Sequence, residues 1–298
     1  MALAQATLVE PPQRLRWVPA GQKVRGAQHV RDSKPNQDDL RWQPIGERGV
    51  VLAVSDGHGS DHCFRSHTGA QLAVKVAVDL LAKVVSAKPG PPDEGTSVRV
   101  WNQLPLMLTS LWVAAVRRDL QERPFTVDEQ ALLRTVEGAA GGATDQQLLA
   151  YGATLLAVAA TERYLMLLQI GDGEILLVAD DSEEALSALP EDPTLIANET
   201  PSLCLPHAHE CFRRRVLRLD GAVPRLVLLT TDGYPNSFET GAGFRQVGRD
   251  LRDAIRRRGL DAVEADLARW LDEASREGSG DDCTLGLIWR EDALPEEA

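Results

Sequence analysis

Val51-Leu52-Ala53-Val54-Ser55-Asp56-Gly57-His58-Gly59 is the stretch on which the reading of this chain turns. An apolar, β-branched run ends abruptly in an acid, a glycine, a histidine and a second glycine. The run has the composition of a buried strand, and Gly57 and Gly59 mark the turn that closes it. Such a strand end gathers a carboxylate, a free carbonyl and an imidazole where a scaffold can mount chemistry. A lone Asp-Gly turn after a core strand needs no such role, but here the theme recurs.

The bulk numbers set the frame. At 298 residues the chain can bury a substantial core. With 43% apolar and 26% charged residues it has ordinary globular composition. A net charge of −12 argues against general nucleic-acid or membrane-surface binding, while leaving room for an anionic substrate held by local cations. Cys63, Cys204, Cys211 and Cys283 are widely spaced, with no C-x-x-C, so neither a disulfide framework nor a zinc site is signalled. Inert thiols in a reducing compartment are expected instead. No cationic start precedes an apolar core, and no apolar run approaches the ~18 residues of a span. The expectation is a cytoplasmic protein.

Working outward, residues 1–20 read as a leader or edge segment, with Pro11 and Pro12 and little periodicity. A polar, turn-rich stretch from Gly26 to Asp39 precedes the opening strand. After Gly59, Ala70, Ala73, Val74, Ala77, Leu80 and Leu81 fall on one helical face. A Pro- and Gly-rich loop at 89–95 leads to a second helix over Trp101–Leu120, and 136–150 reads as mobile. Ala153–Ala160 and Tyr164–Ile170 form a hairpin, followed by strands at Ile175–Val178 and Leu226–Leu229 and a surface loop at Asp180–Pro193. Phe244–Arg258 predicts a helix closed by three arginines and Gly259. Asp261 with Glu264 resembles a capping box opening the next helix. A last strand runs from Cys283 to Trp289. With no clean linker between halves, one domain is expected.

Acids flank core strands at Asp38, Asp56, Asp232 and Asp281, each beside a glycine, an amide or a second acid. Carboxylates crowded together raise one another's pKa and oppose folding, which a divalent cation would resolve. An all-oxygen set selects hard ions, Mg²⁺ or Mn²⁺. The pattern alone leaves a metal cluster and four unrelated Asp turns as alternatives.

Six motifs in order break the tie: Pro35-Asn36-Gln37-Asp38, Ser55-Asp56-Gly57-His58-Gly59, Tyr151-Gly152-Ala153-Thr154, Gly171-Asp172-Gly173, Thr231-Asp232-Gly233 and Asp281-Asp282-Cys283-Thr284. Over roughly residues 21–290 the chain resembles the metal-dependent serine/threonine phosphatases of the type 2C family, above all its bacterial branch. The resemblance implies an α+β fold, a four-layer α-β-β-α sandwich of two mostly antiparallel sheets flanked by helices. It implies a catalytic domain at 21–290 between the 1–20 segment and an acidic tail at 291–298. It implies two Mn²⁺ or Mg²⁺ ions, with Asp56 shared, Asp232 and Asp281 completing one, and the Gly57 carbonyl completing the other. Asp38 would hold metal-bound waters. A water shared between two cations would attack phosphorus, and His58 would protonate the leaving alkoxide.

Two departures stand out. Gln37 occupies a position where the family often has Glu, leaving one charge fewer. Ser33 stands where the family usually offers a phosphate-binding Arg, so Arg31, Lys34 and His29 become the candidates for that task. No acid directly precedes Gly152, so no third protein-bound metal is expected. His62 and His67 read as surface residues, and Asp172 as structural. Asp39 and Asp282 read as hydrogen-bond partners or solvent-facing acids.

The resulting expectation is hydrolysis of phosphoserine and phosphothreonine on proteins, opposing a cognate Ser/Thr kinase in signalling, with no nucleic acid and no membrane involved. The alternative is a pseudophosphatase or metal-stabilised interaction module, suggested by Gln37 and Ser33. A haloacid-dehalogenase-type mechanism would need a D-x-D after a strand, which Val54-Ser55-Asp56 lacks.

Overall fold

The computed structural model describes residues 15–87, 90–92, 97–134, 145–190, 200–221 and 223–292. The opening run is strand β3 (Gly49–Ser55). Its alternate residues serve two cores: Val50, Leu52 and Val54 face one apolar layer, and Val51 and Ala53 face another. A strand covered on both sides has no polar face, which is why the sequence shows an unbroken apolar run rather than alternation.

β3 is the second strand of a five-stranded sheet ordered β2 (Asp39–Ile45), β3, β4 (Leu155–Ala160), β5 (Tyr164–Ile170) and β8 (Arg213–Arg218). The second sheet is ordered β1 (Leu15–Val24), β10 (Cys283–Asp292), β9 (Leu226–Thr230), β6 (Glu174–Val178) and β7 (Leu186–Ser187). Every pairing in both sheets is antiparallel. Trp17, Leu52, Leu156, Leu167, Val227 and Ile288 are among the side chains that join the two inner faces. Each such fully buried side chain contributes about 1.5–3 kcal/mol relative to exposure.

Helices supply the outer layers. α2 (Ser66–Ala87) and α3 (Val98–Glu122) pack on the first sheet through Val74, Leu81, Leu104 and Trp112. α6 (Gly241–Arg258) and α7 (Leu260–Glu277) pack on the second through Phe244, Leu251, Leu267 and Leu271. Three short helices complete the set among the described residues: α1 (Ala27–Arg31), α4 (Val127–Arg134) and α5 (Gln146–Leu149). The four-layer α-β-β-α sandwich is the architecture that the resemblance implied. No described helix is long and apolar enough to cross a membrane.

Some local readings change. Leu15–Ala20, read within a leader, belong to edge strand β1, where Leu15, Trp17 and Ala20 are buried against the sandwich. Glu291 and Asp292, read as the start of the acidic tail at 291–298, end strand β10 opposite Arg16 and Leu15. Residues 1–14 and 293–298 lie outside the described residues, as does most of the 136–150 stretch read as mobile. The capping box at Asp261 does not form. α7 starts at Leu260 after Gly259, whose φ of 85° suits glycine, and the Glu264 carboxylate accepts the Gly21 N–H at 3.1 Å instead. The cap that does form is on α6, where Thr240 Oγ1 accepts from the Gly243 N–H. The Asp180 loop is less exposed than expected, since Ala185, Ala188 and Leu189 are buried.

Candidate metal centre

The antiparallel order brings distant acids to one end of the sandwich. Asp38 immediately precedes β2 and Asp56 immediately follows β3, so one sheet presents both at the same edge. Asp232 follows β9 and Asp281 precedes β10, which places the second sheet's pair at one edge as well. Their charges are felt across this end of the sandwich: Asp38 feels Asp281, Asp56 feels Asp38, Asp232 and Asp281, and Asp232 feels Asp281.

Asp38 is buried and held by one oxygen only. Its Oδ2 accepts from Thr231 Oγ1 at 2.7 Å and from Thr284 Oγ1 at 2.6 Å, while Oδ1 is buried without a partner. Burial, reinforced by the charges of Asp282 and Asp281, raises its pKa from 3.8 to about 8 despite the two threonine hydroxyls. Burial likewise pushes Asp56 well above the ordinary carboxylate range, with Asp38 and Asp232 adding repulsion. Asp232 is raised by burial too, and its carboxyl lies within hydrogen-bonding reach of that of Asp56. No lysine or arginine is among the main influences on these three acids.

The turn that carries Asp56, Gly57 and His58 is clamped from both sides. The Asp56 N–H donates to Thr154 Oγ1 at 3.0 Å, and the Thr154 N–H donates to the Asp56 carbonyl at 2.8 Å. Thr154 is thus the reason for its motif. The Gly57 N–H donates to the Gln37 carbonyl at 3.1 Å, and the His58 N–H to the Gly152 carbonyl at 3.1 Å. A Cβ on Gly57 would meet Ser66 backbone at 2.7 Å, and one on Gly152 would sit 2.8 Å from the His58 ring. Side chains at either position would therefore displace the turn. The half-buried His58 has its pKa lowered by burial, and the Asp172 charge works in the opposite direction.

The second acids of the pairs are supports. Asp282 is buried and accepts the N–H groups of Gly26 and Gln37, both at 2.6 Å, which fixes the loop ahead of Asp38. Asp39 pairs with Lys23. Asp172 accepts from Thr200 Oγ1 at 2.6 Å. Asp281 is half-exposed, and its Oδ1 accepts the Asp282 N–H at 2.8 Å.

The three phosphate-binding candidates separate. His29 is buried with Nδ1 2.9 Å from Asp282 Oδ2, and groups with Asp281 and Asp282 rather than with Asp56. Arg31 is exposed on α1 and donates to Gln28. Of the three, only Lys34 reaches the turn, donating to the Gly59 carbonyl at 3.1 Å. Ser33 holds a left-handed φ of 57°. Gln37 points its amide at the His58 carbonyl and Ser66 Oγ, a role that sequence reading did not assign. Thr231 and Thr284 were also missed as supports for Asp38. Their positions next to Asp232 and Asp282 were the available signal, but the contact needs both sheets.

The donor set suits a hard divalent cation. It is built of oxygens, has no lysine or arginine among the main influences on Asp38, Asp56 and Asp232, and leaves the buried Asp38 Oδ1 unsatisfied. Desolvated like charges of this kind are otherwise destabilising.

The model of the family described as protein phosphatase 2C matches residues 25–272. No curated protein matches the chain. Among solved structures, the chain is similar to the catalytic domain of the serine/threonine phosphatase PstP in complex with two manganese ions. Identity there is 18% and the TM-score 0.54, over 93% of this chain and 100% of that one. A serine/threonine phosphatase of S. agalactiae matches at 15% identity and a TM-score of 0.55, covering 92% of this chain and 99% of that one. A bacterial serine phosphatase matches at 14% identity and a TM-score of 0.54, covering 95% of this chain and 100% of that one. At these identities the likeness establishes the shared fold.

Proposed function

The chain belongs to the protein phosphatase 2C family, and from that premise we propose that Asp38, Asp56, Asp232 and Asp281, with the Gly57 carbonyl, form its dication site. Membership makes the protein a metal-dependent phosphoprotein phosphatase, a hydrolase of phosphomonoesters. The observation that carries the site assignment is the gathering of these acids, with Asp38 buried and its Oδ1 unpartnered, Asp56 half-buried, and the pKa of both raised. Two Mn²⁺ or Mg²⁺ ions, as in the PstP complex with manganese, would supply an activated water and neutralise phosphoryl charge.

The chain's own groups do the rest. Thr231 and Thr284 orient Asp38, and Thr154 fixes the Asp56 main chain. His58 delivers a proton to the departing serine or threonine oxygen, and the nearby Asp172 charge favours the protonated imidazole against burial. Lys34, the candidate cation on the Gly59 carbonyl, attracts the substrate phosphate. The reading extends to a cognate Ser/Thr kinase in a cytoplasmic signalling system, because phosphoprotein substrate must be supplied by a kinase.

Turnover of a phosphothreonine peptide with and without Mn²⁺, repeated with Asp232→Asn, tests this. Mn²⁺-dependent turnover lost in the variant is expected. A wild-type protein that binds Mn²⁺ and never turns over would overturn the enzyme reading in favour of a pseudophosphatase. Lys34→Ala should raise KM a few-fold and Arg31→Ala should not.

A further inference from the structure

Gln37 is buried in the wall of the site, next to Asp38 in the chain. Its Nε2 donates to the His58 carbonyl at 3.2 Å and to Ser66 Oγ at 2.6 Å. Its main-chain N–H donates to Asp282 Oδ2 at 2.6 Å, and its carbonyl accepts from the Gly57 N–H at 3.1 Å. One residue thereby ties three elements together: the loop carrying Asp38, the turn carrying Asp56 and His58, and the first residue of α2.

The chemistry of the contact is directional. A main-chain carbonyl only accepts, so the group facing the His58 carbonyl must be the NH₂ half of the amide. The other half, Oε1, is then left buried without a partner. A glutamate here would set a carboxylate against that carbonyl. It could still accept from the Ser66 hydroxyl.

We infer that Gln37 is a positioning residue for His58, its amide holding the main chain of the turn so that the imidazole meets the leaving oxygen. The inference rests on the reading of His58 as the proton donor. Gln37 takes no part in the chemistry itself. It exchanges the negative charge that the family often places there for a fixed hydrogen bond to the His58 carbonyl.

Leaving-group dependence separates this role from a merely structural one. A threonine alkoxide needs a proton as it departs, whereas p-nitrophenolate does not. Loss of the proton donor therefore slows a phosphothreonine peptide far more than p-nitrophenyl phosphate. Damage to metal binding or to the fold slows both alike. The experiment measures kcat on both substrates with Mn²⁺-saturated wild type, Gln37→Glu, Gln37→Ala, Ser66→Ala and His58→Ala. Melting temperatures measured without metal report on folding.

Gln37→Glu keeps the side-chain volume and a Ser66 partner while removing the His58 contact, and the charge that it adds beside the metal site acts on both substrates alike. Both Gln37 variants should lose about tenfold or more on the peptide relative to the aryl ester, a part of the ~10²–10⁴ attached to a general acid. Ser66→Ala should move that ratio less. Equal losses on both substrates in both Gln37 variants, with His58→Ala still discriminating, would overturn the inference while leaving the reading of His58 intact. A His58→Ala variant that treats the two substrates alike would remove the reading of His58, and the inference with it.

Discussion

Two acids that follow core strands of the same sheet meet opposite fates. Asp180 lies just beyond β6 and Asp232 just beyond β9, at opposite ends of neighbouring strands. Asp180 is surrounded by cations: Arg225 Nε at 2.6 Å, Arg256 Nη2 at 2.6 Å and Arg290 Nη2 at 2.5 Å. Burial raises its pKa, but the Arg225 hydrogen bond and the Arg290 charge outweigh this, and the net shift is downward. Among the described residues, Asp232, Asp56 and Asp38 have no arginine or lysine on their carboxylates, and the pKa of each rises. A structural acid brings its counter-ions with it, whereas an acid that binds a cation leaves the place open.

The largest effect that would sharpen this contrast is on activity. Asp56→Asn should cut turnover of a phosphothreonine peptide by ~10²–10³ or more, the scale of losing one preorganised electrostatic element. Asp180→Asn should leave turnover near wild type. Stability should move the other way. Asp180→Asn, which leaves three arginines around a neutral group, should cost about 2 kcal/mol in urea unfolding, whereas Asp56→Asn should not destabilise the metal-free protein. A metal-free Asp56→Asn protein much less stable than wild type would break the comparison.

A third expectation concerns pH. In the metal-free protein Asp38 holds its proton up to about 8, against an ordinary 3.8. The folded state thus binds that proton more tightly than the unfolded chain, a stabilisation fully present below about pH 4 and lost as pH rises toward 8. Asp180, shifted downward, adds slope only at the acid end of this window, where it favours folding as pH rises. The melting temperature of the metal-free protein should therefore fall between these limits. Asp38→Asn should reduce the slope, leaving the part that the raised Asp56 and Asp232 supply, and saturating Mn²⁺ should remove it. The smallest effect is expected from Thr154→Val, which deletes the hydroxyl that accepts the Asp56 N–H and should cost about 1 kcal/mol in the same unfolding assay.

The contrast also explains what could be read beforehand. Val51–Gly59 announced itself because a doubly buried strand has an unbroken apolar run and because its turn needs glycine at a close approach. The other motifs were legible as an ordered set, through their resemblance to the family, and not one by one. Asp180 carries the same strand-then-acid signature as Asp232, and residue order alone could not separate them. The difference lies in Arg225, Arg256 and Arg290, which reach Asp180 only through the fold.

Thr231 and Thr284 were visible as neighbours of acids, but their shared contact with Asp38 requires the two sheets to face each other. β2, with Pro44 and mostly exposed side chains, and β8, rich in arginine, lie at sheet edges and show weak apolar alternation, so neither was read as a strand. The Asp261 capping box failed because Glu264 was drawn to the Gly21 N–H, 243 residues away in sequence.

The most direct test of the central claim, that these acids leave a place for cations, is the stoichiometry of Mn²⁺ binding by equilibrium dialysis on wild type and Asp56→Asn. Two ions per chain in the wild type, with occupancy of both weakened in Asp56→Asn, is the predicted result. A folded wild-type protein that retains no Mn²⁺, or an Asp56→Asn protein that binds as wild type does, would contradict it.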